Sequence, residues 1–157
     1  LKPESLAVRV DGKNIAEVLD LTVREARSED RLRPGEALVV PGDYHGRIRR
    51  GPYGPVLVLD KDPPVNHHRP SVDVLFHSLA ETMKDKGIGL LLTGMGEDGA
   101  RGLLAMRAQG ARTLVQDQIT STVFGMPKAA IRLGAAEEVV PLGEIPDRLV
   151  DLLRCGP

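Results

Sequence analysis

The sequence predicts an α/β fold: a doubly wound, mostly parallel sheet with helices on both faces and a β-hairpin insertion. From residue 70 onward, short apolar runs bounded by glycine or proline alternate with amphipathic segments, which is typical of right-handed βαβ units. The run 88–93 is the clearest strand, and the segment 72–83 before it repeats apolar residues at helical spacing. Two further apolar runs flank the turn signal at 51–55 and predict the hairpin.

The remaining elements follow from the same patterns, taken in chain order. We expect an N-cap at Ser71, and Asp73 lies in the first turn of its helix, where the helix dipole favours an acid. Residues 61–70 are rich in proline and histidine and predict an irregular loop. The other predicted strands are 6–10, 21–26, 36–41, 45–50, 56–60, 111–116 and 138–141, and the other predicted helices are 15–19, 98–109, 127–133 and 145–153.

Composition limits the classes of function. The chain has 157 residues, of which 41% are hydrophobic and 27% charged, with a net charge of −1. This balance is typical of a globular domain and favours neither a nucleic-acid partner nor membrane insertion. The single cysteine, Cys155, permits no internal disulfide and no cysteine-rich metal site, which fits a cytoplasmic protein.

A glycine-rich turn follows the strand at 88–93 and offers a first candidate site. The spacing of its glycines matches the dinucleotide-binding fingerprint, which needs a strand before it and a helix after it. Asp117, near the end of the next strand, stands about where a ribose-binding acid would be. Dinucleotide binding through this turn is therefore one alternative, carried by Gly94, Gly96 and Gly99.

Two acids inside the turn, Glu97 and Asp98, oppose that alternative. A pyrophosphate binds bare N–H groups at a positive helix end, and carboxylates there would repel it. The acids can instead cap the following helix. They can also serve catalysis, since a carboxylate at the carboxyl end of a strand can orient a histidine that activates a serine, while turn amides bind an oxyanion.

Several motifs together resemble one family. The run 92–100, Leu-Thr-Gly-Met-Gly-Glu-Asp-Gly-Ala, is followed by 116–117 and by 120–130, which contains Phe-Gly-Met-Pro. The segments 32–45 and 69–76 add further landmarks in the same order. Over roughly residues 21–154 the chain is similar to the catalytic domain of chemotaxis receptor methylesterases of the CheB type.

The resemblance implies a doubly wound α/β domain that hydrolyses methyl esters of receptor glutamates, often with deamidation of receptor glutamines. Its implied partners are the methylated cytoplasmic region of a chemotaxis receptor and a receiver domain upstream in the full-length protein. Carried over residue by residue, Asp98 matches the acid of a Ser-His-Asp triad. Met95 matches the residue whose backbone amide binds the oxyanion. No cofactor and no metal are implied.

The other two triad members are not found. The family places its serine in a glycine-rich turn near the start of the domain and its histidine at the end of the second strand. The strand predicted at 6–10 is followed by Asp-Gly instead. None of the available side chains fits either role: Ser5, Ser28, Ser71, Ser78 and Ser121, or His45, His67, His68 and His77. The adjacent pair at 67–68 lacks the further ligands that a metal site needs.

Two explanations stay open. Either the chain is a single methylesterase-like domain, residues 1–157, that lacks its N-terminal strand and nucleophile turn, or it is a degenerate relative. In both cases we expect the chain alone to be inactive or impaired as an esterase. The alternatives are a non-catalytic module that binds a receptor or another partner, and dinucleotide binding.

Overall fold

A computed structural model describes residues 9–10, 13–14 and 21–155. The strands are β1 Arg9–Val10, β2 Lys13–Asn14, β3 Thr22–Glu25, β4 Asp30–Arg31, β5 Glu36–Val39, β6 His45–Gly51, β7 Gly54–Asp60, β8 Ile88–Leu91, β9 Arg112–Gln116 and β10 Glu138–Val140. The helices are α1 Val72–Met83, α2 Ala100–Ala108, α3 Met126–Arg132 and α4 Ile145–Cys155, with 3-10 turns at Lys84–Lys86 and Leu142–Glu144. The predicted helix 15–19, the start of the strand 6–10 and Ser5 lie outside the described residues.

The main sheet is parallel, as predicted. Its three strands lie in the order β10-β9-β8, with Leu90 opposite Leu114 and Val115 opposite Val139. A second parallel pair joins β3 and β5. Antiparallel pairing is confined to β1 with β2 and to the sheet β4-β7-β6.

Helices cover both faces of the main sheet, which confirms the doubly wound arrangement. Leu91 and Val115 point to one face, where they belong to the hydrophobic cluster formed with α1, α2 and α3. Leu90 and Leu114 point to the other face, where they pack with residues of α4. Burial on both sides explains why β8, the sequence Ile-Gly-Leu-Leu, is apolar along its whole length.

The hairpin β6–β7 is confirmed, but its turn is tighter than predicted. Gly51 pairs with Gly54, so the turn contains only residues 52–53 instead of a loop over 51–55. Helix α1 fastens the hairpin to the main domain, because Ser78 Oγ accepts a hydrogen bond from Ile48 N (2.8 Å) and Thr82 Oγ1 donates to Ile48 O (3.0 Å).

The predicted loop 61–70 contains regular structure. It includes a two-residue turn at Asn66 and His67, with φ of 52° and 65°, closed by hydrogen bonds between Val65 and His68. Positive φ at both central residues is the geometry of a type I′ turn, in which asparagine is favoured. Between β3 and β5, the short strand β4 pairs with β7.

Helix α2 begins two residues later than the predicted start at 98. Gly99 has φ of 90°, a left-handed conformation that ends the turn before the helix. Asp98 is turned away from α2 and bonds to α1 instead. None of the helices α1–α4 has the length and apolar character needed to cross a bilayer.

Candidate active site

The carboxyl ends of β8 and β9 carry two loops, 92–99 and 117–125, that hydrogen bonds join side by side. Gly94 N donates to Val123 O (2.9 Å), while Gly125 N and Met126 N donate to Gly94 O at 3.1 and 2.9 Å. In an open α/β sheet this edge is where ligands bind. We therefore expect the two loops to line a ligand-binding site.

The buried side chain of Gln116 forms hydrogen bonds to both loops. Gln116, at the end of β9, accepts a hydrogen bond from Thr93 N (2.9 Å) and donates to Thr120 O (2.8 Å). The Thr93 hydroxyl bonds in turn to the backbone of Val123. The side chain of Gln116 is 1% exposed, so its full hydrogen bonding is what its burial requires.

Glycines are needed where the loops and α1 approach closely. A Cβ at Gly125 would lie 2.7 Å from Gly94 O and 3.0 Å from Gly96 N. A Cβ at Gly99 would lie 2.7 Å from Val72 Cγ1. Gly94 and Gly96 also have structural reasons that involve no ligand: a Cβ at Gly94 would lie 2.2 Å from Met126 Sδ, and Gly96 has a φ of 89°.

Asp98 leaves its own loop and binds the N-terminus of α1. It is only 5% exposed, and its carboxylate accepts four hydrogen bonds. The donors are Asn66 Nδ2 (2.8 Å), Ser71 Oγ (2.7 Å), Val72 N (2.7 Å) and Asp73 N (3.3 Å). Two of these are free amides of the first helical turn, which carry the positive end of the helix dipole.

This environment keeps Asp98 ionised. Burial by itself raises the pKa of a carboxyl, but the four donors outweigh burial and hold the pKa of Asp98 below its ordinary value. Three of the donors reach Oδ1, and only Val72 N reaches Oδ2 among residues 21–155. Of the two carboxylate oxygens, Oδ2 therefore accepts fewer hydrogen bonds.

Asn66 links two buried acids and was not singled out from the sequence. Its Nδ2 donates at 2.8 Å both to Asp98 Oδ1 and to Asp73 Oδ2, while Asp73 Oδ1 accepts from Gly102 N (2.7 Å). The network thus connects the site to the packing of α2 on α1. The only signal in the sequence was an asparagine in a short polar turn, which is too common to identify this role.

Ser71 occupies the N-cap position of α1 as predicted, but its side chain does not cap the helix. Its hydroxyl donates to Asp98 Oδ1, and the Asp98 carboxylate takes the first amides of α1 instead. The predicted N-cap position of Ser71 is therefore confirmed, but the prediction that its side chain caps the helix is wrong. The hydroxyl, which bonds directly to the acid, has no histidine partner that could activate it among the described contacts.

His45 is a structural residue. It is fully buried, its Nδ1 accepts a hydrogen bond from Ser71 N (3.2 Å), and its Nε2 lies 3.1 Å from Pro63 O. A ring with Nδ1 as acceptor carries its proton on Nε2, which then donates to Pro63 O. Both nitrogens are occupied, so His45 is not available as a general base.

No histidine in the described part of the chain forms a hydrogen bond with Asp98. His67 and His68 lie in the exposed turn of the 61–70 segment, and His77 is exposed on α1. No cluster of three or more His, Cys, Asp or Glu side chains within the described residues could hold a metal ion. The described residues thus contain the acid and the turn amides, but no Ser-His pair hydrogen-bonded to that acid.

Met95 lies at the outer end of the glycine turn. Its side chain is 82% exposed. Within residues 21–155, neither its backbone amide nor that of Gly96 has a hydrogen-bond acceptor. Backbone amides that are free to donate a hydrogen bond are what an oxyanion site requires.

Comparison with known proteins agrees with this geometry. The family model described as CheB methylesterase matches residues 9–149. A protein-glutamate methylesterase/protein-glutamine glutaminase of Bordetella pertussis is 53% identical over 134 residues, which are 85% of this chain and 38% of the relative. A protein of the same name from Chromohalobacter salexigens is 50% identical over 142 residues, 88% of this chain and 40% of the relative.

The fold has a solved counterpart. The crystal structure of the Thermotoga maritima CheB methylesterase catalytic domain matches with a TM-score of 0.81 and 37% sequence identity, over 83% of this chain and 69% of that one. The chain spans about 40% of the length of the curated relatives it matches. By family model, sequence identity and structure alike, the chain belongs to the CheB methylesterase family.

Proposed function

We propose that the chain contributes the acid and the oxyanion amide of a protein-glutamate methylesterase that acts in chemotaxis signalling. The proposal rests on the state of Asp98, which is buried, ionised and held on α1, and whose Oδ2 accepts only the Val72 amide among the described residues. The turn before it in the chain contains the unpaired amides of Met95 and Gly96. That is the environment of an acid that holds a histidine in place. The names of the relatives support the same substrate class and add glutamine deamidation.

In this proposal the reaction is acyl transfer. A serine attacks the glutamyl methyl ester, a histidine takes the serine proton and passes it to the departing methanol, and water then hydrolyses the acyl-enzyme. Asp98 accepts a hydrogen bond from that histidine and stabilises its charged form. The Met95 amide donates to the oxyanion of each tetrahedral intermediate.

The serine and the histidine are to be supplied by polypeptide that this chain does not contain. All four of its histidines are placed by the structure, and none contacts Asp98. We therefore keep the expectation that residues 1–157 are one domain without the nucleophile turn, and that the chain alone is inactive or impaired as an esterase. The proposed substrate is the cytoplasmic region of a methylated receptor, and an upstream receiver domain and a cytoplasmic location belong to the same proposal.

One observation favours a second candidate, a non-catalytic module that binds a receptor. The four hydrogen bonds of Asp98 also close the N-terminus of α1, and this stabilises the fold whether or not catalysis occurs. Dinucleotide binding has no such support, because the glycines are explained by packing and Glu97 remains exposed on the turn.

A chimera separates the two candidates. The segment of the Bordetella pertussis relative that matches this chain is replaced by the corresponding 134 residues, and methanol release from methylated receptor is measured. The esterase proposal expects hydrolysis by the chimera and none by the isolated chain. A folded chimera without activity would identify a non-catalytic module, and rapid hydrolysis by the chain alone would contradict the assignment of the missing residues.

A further inference from the structure

Three exposed apolar side chains border the candidate site: Met95, Ile119 and Val123, here called the apolar rim. Their exposed fractions are 82%, 93% and 43%. Ile119 and Met95 are the two most exposed large apolar side chains among the described residues. Single exposed apolar residues are common on proteins. Ile119 and Met95, however, lie on adjoining loops at one edge of the sheet, and this grouping suggests that their exposure serves a function.

The loop that carries Ile119 is held in one conformation by hydrogen bonds. Asp117 accepts hydrogen bonds from the amide (3.0 Å) and the hydroxyl of Thr120, and Ser121 Oγ donates to Asp117 O (2.6 Å). Gln116 holds the same segment from the strand side. The loop that carries Ile119 is therefore tied down at several points, and its isoleucine still points into solvent.

The rim adjoins the proposed oxyanion amide. Gly94 and Phe124 form a parallel bridge, and Met95 and Val123 are each one residue away from it. Gly94 N also donates to Val123 O, so the backbone of Val123 lies against the residue before Met95. The Met95 side chain is attached to the very residue whose amide is proposed to bind the reacting carbonyl oxygen.

The chemistry of the rim limits what it can bind. Neither 92–99 nor 117–125 contains a lysine or an arginine. Asp117 is engaged with Thr120, and the neighbours at 118, 120, 121 and 122 are uncharged polar residues. The one exposed acid in these two loops is Glu97. An apolar centre whose border contains no cation is suited to a protein surface and not to a phosphate or an acidic peptide.

We infer that the apolar rim is a docking surface for the protein substrate: it takes the apolar face of the polypeptide segment that carries the glutamyl methyl ester. The inference rests on the proposed function, and it makes Ile119 and Val123 determinants of substrate binding that take no part in the chemistry. The neutral ester side chain enters between the two loops, while the flanking apolar residues of its segment cover Ile119 and Val123.

The test uses the full 157-residue chain labelled with ¹⁵N and the methylated cytoplasmic fragment of a Bordetella pertussis chemotaxis receptor as the probe. We expect amide shifts to change in loops 92–99 and 117–125. Ile119→Asp is expected to weaken binding by roughly tenfold or more, the usual effect of losing an interface anchor. The matched control is Leu153→Asp on α4, which also alters a mostly exposed apolar side chain (68%), and it is expected to leave the Kd unchanged.

Each outcome decides a different point. Binding that Ile119→Asp leaves intact overturns the docking inference and leaves the proposed function standing. Binding of an isolated receiver domain to the rim, without binding of the receptor fragment, also overturns it and identifies the rim as a contact between domains. Failure of both probes to bind, together with an inactive chimera, refutes the proposed function itself.

Discussion

Replacing Asn66 by alanine removes the one side chain that bonds both to Asp98 and to Asp73. Each bond is 2.8 Å long and runs from the Asn66 amide nitrogen to a carboxylate oxygen. Hydrogen bonds to charged groups contribute about 1.5–3 kcal/mol each when buried, and less when partly exposed. Since Asn66 lies at the surface, we take about 1 kcal/mol for each bond and expect a loss of roughly 2 kcal/mol in the free energy of unfolding.

The positive φ at Asn66 makes alanine unfavourable there by itself, so the experiment needs a control variant at a position with the same backbone conformation. Asn66 and His67 both have positive φ, 52° and 65°, so alanine has a similar conformational cost at either position. His67 has no hydrogen bond to the site among the described contacts. Urea denaturation of Asn66→Ala and His67→Ala therefore isolates the two bonds, and equal midpoints for the two variants would refute the role of Asn66.

The pH dependence gives a second check. The pKa of Asp98 is lowered in the folded state, so the stability contributed by its donors is fully present above the unfolded-state pKa of about 3.9 and is lost as the pH falls through the folded-state pKa. The difference between Asn66→Ala and the parent chain should therefore stay constant from pH 7 down to about 4 and narrow as the pH falls further. A difference that stays constant or widens would contradict the argument.

Three further predictions concern the glycines and the turn. Gly102→Ala would place a Cβ 2.6 Å from Phe76 Cβ and 3.0 Å from Asp73 O, so we expect urea denaturation to show a loss of about 1–3 kcal/mol; Gly143→Ala, with no atom within 4 Å, is the neutral control. Gly125→Ala would press on Gly94 O at 2.7 Å and should shift the amide resonances of Met95 and Gly96 while those of α4 stay in place. NADH or NADPH should leave the melting temperature unchanged, and a saturable increase would revive dinucleotide binding.

Periodic apolar patterns predicted most of the fold. The strands 88–93 and 111–116 and the helix after Ser71 were found near their expected bounds, because each pattern reflects burial of a whole strand or of one helix face. The turn of the hairpin was predicted too long, since glycine and proline mark a turn without fixing which residues pair across it.

The site was predictable in part. Asp98 was singled out because its motif resembles that of a family, yet its hydrogen bonds come from residues 25 to 32 positions earlier in the chain. Local patterns contain no information on such contacts, so Asn66 was missed and Ser71 was assigned a capping bond that Asp98 makes instead. His45 was judged from the sequence not to fit the missing histidine of the triad, and its two occupied ring nitrogens agree with a structural role.

The most direct test of the account is the effect of Asp98→Asn on methanol release by the chimera with the Bordetella pertussis relative. If Asp98 holds the histidine of a triad, the variant folds and its rate falls by roughly a hundredfold or more. A folded Asp98→Asn chimera whose rate stays within about threefold of the parent would contradict the assignment, and the hydrogen bonds of Asp98 would then serve only the stability of α1.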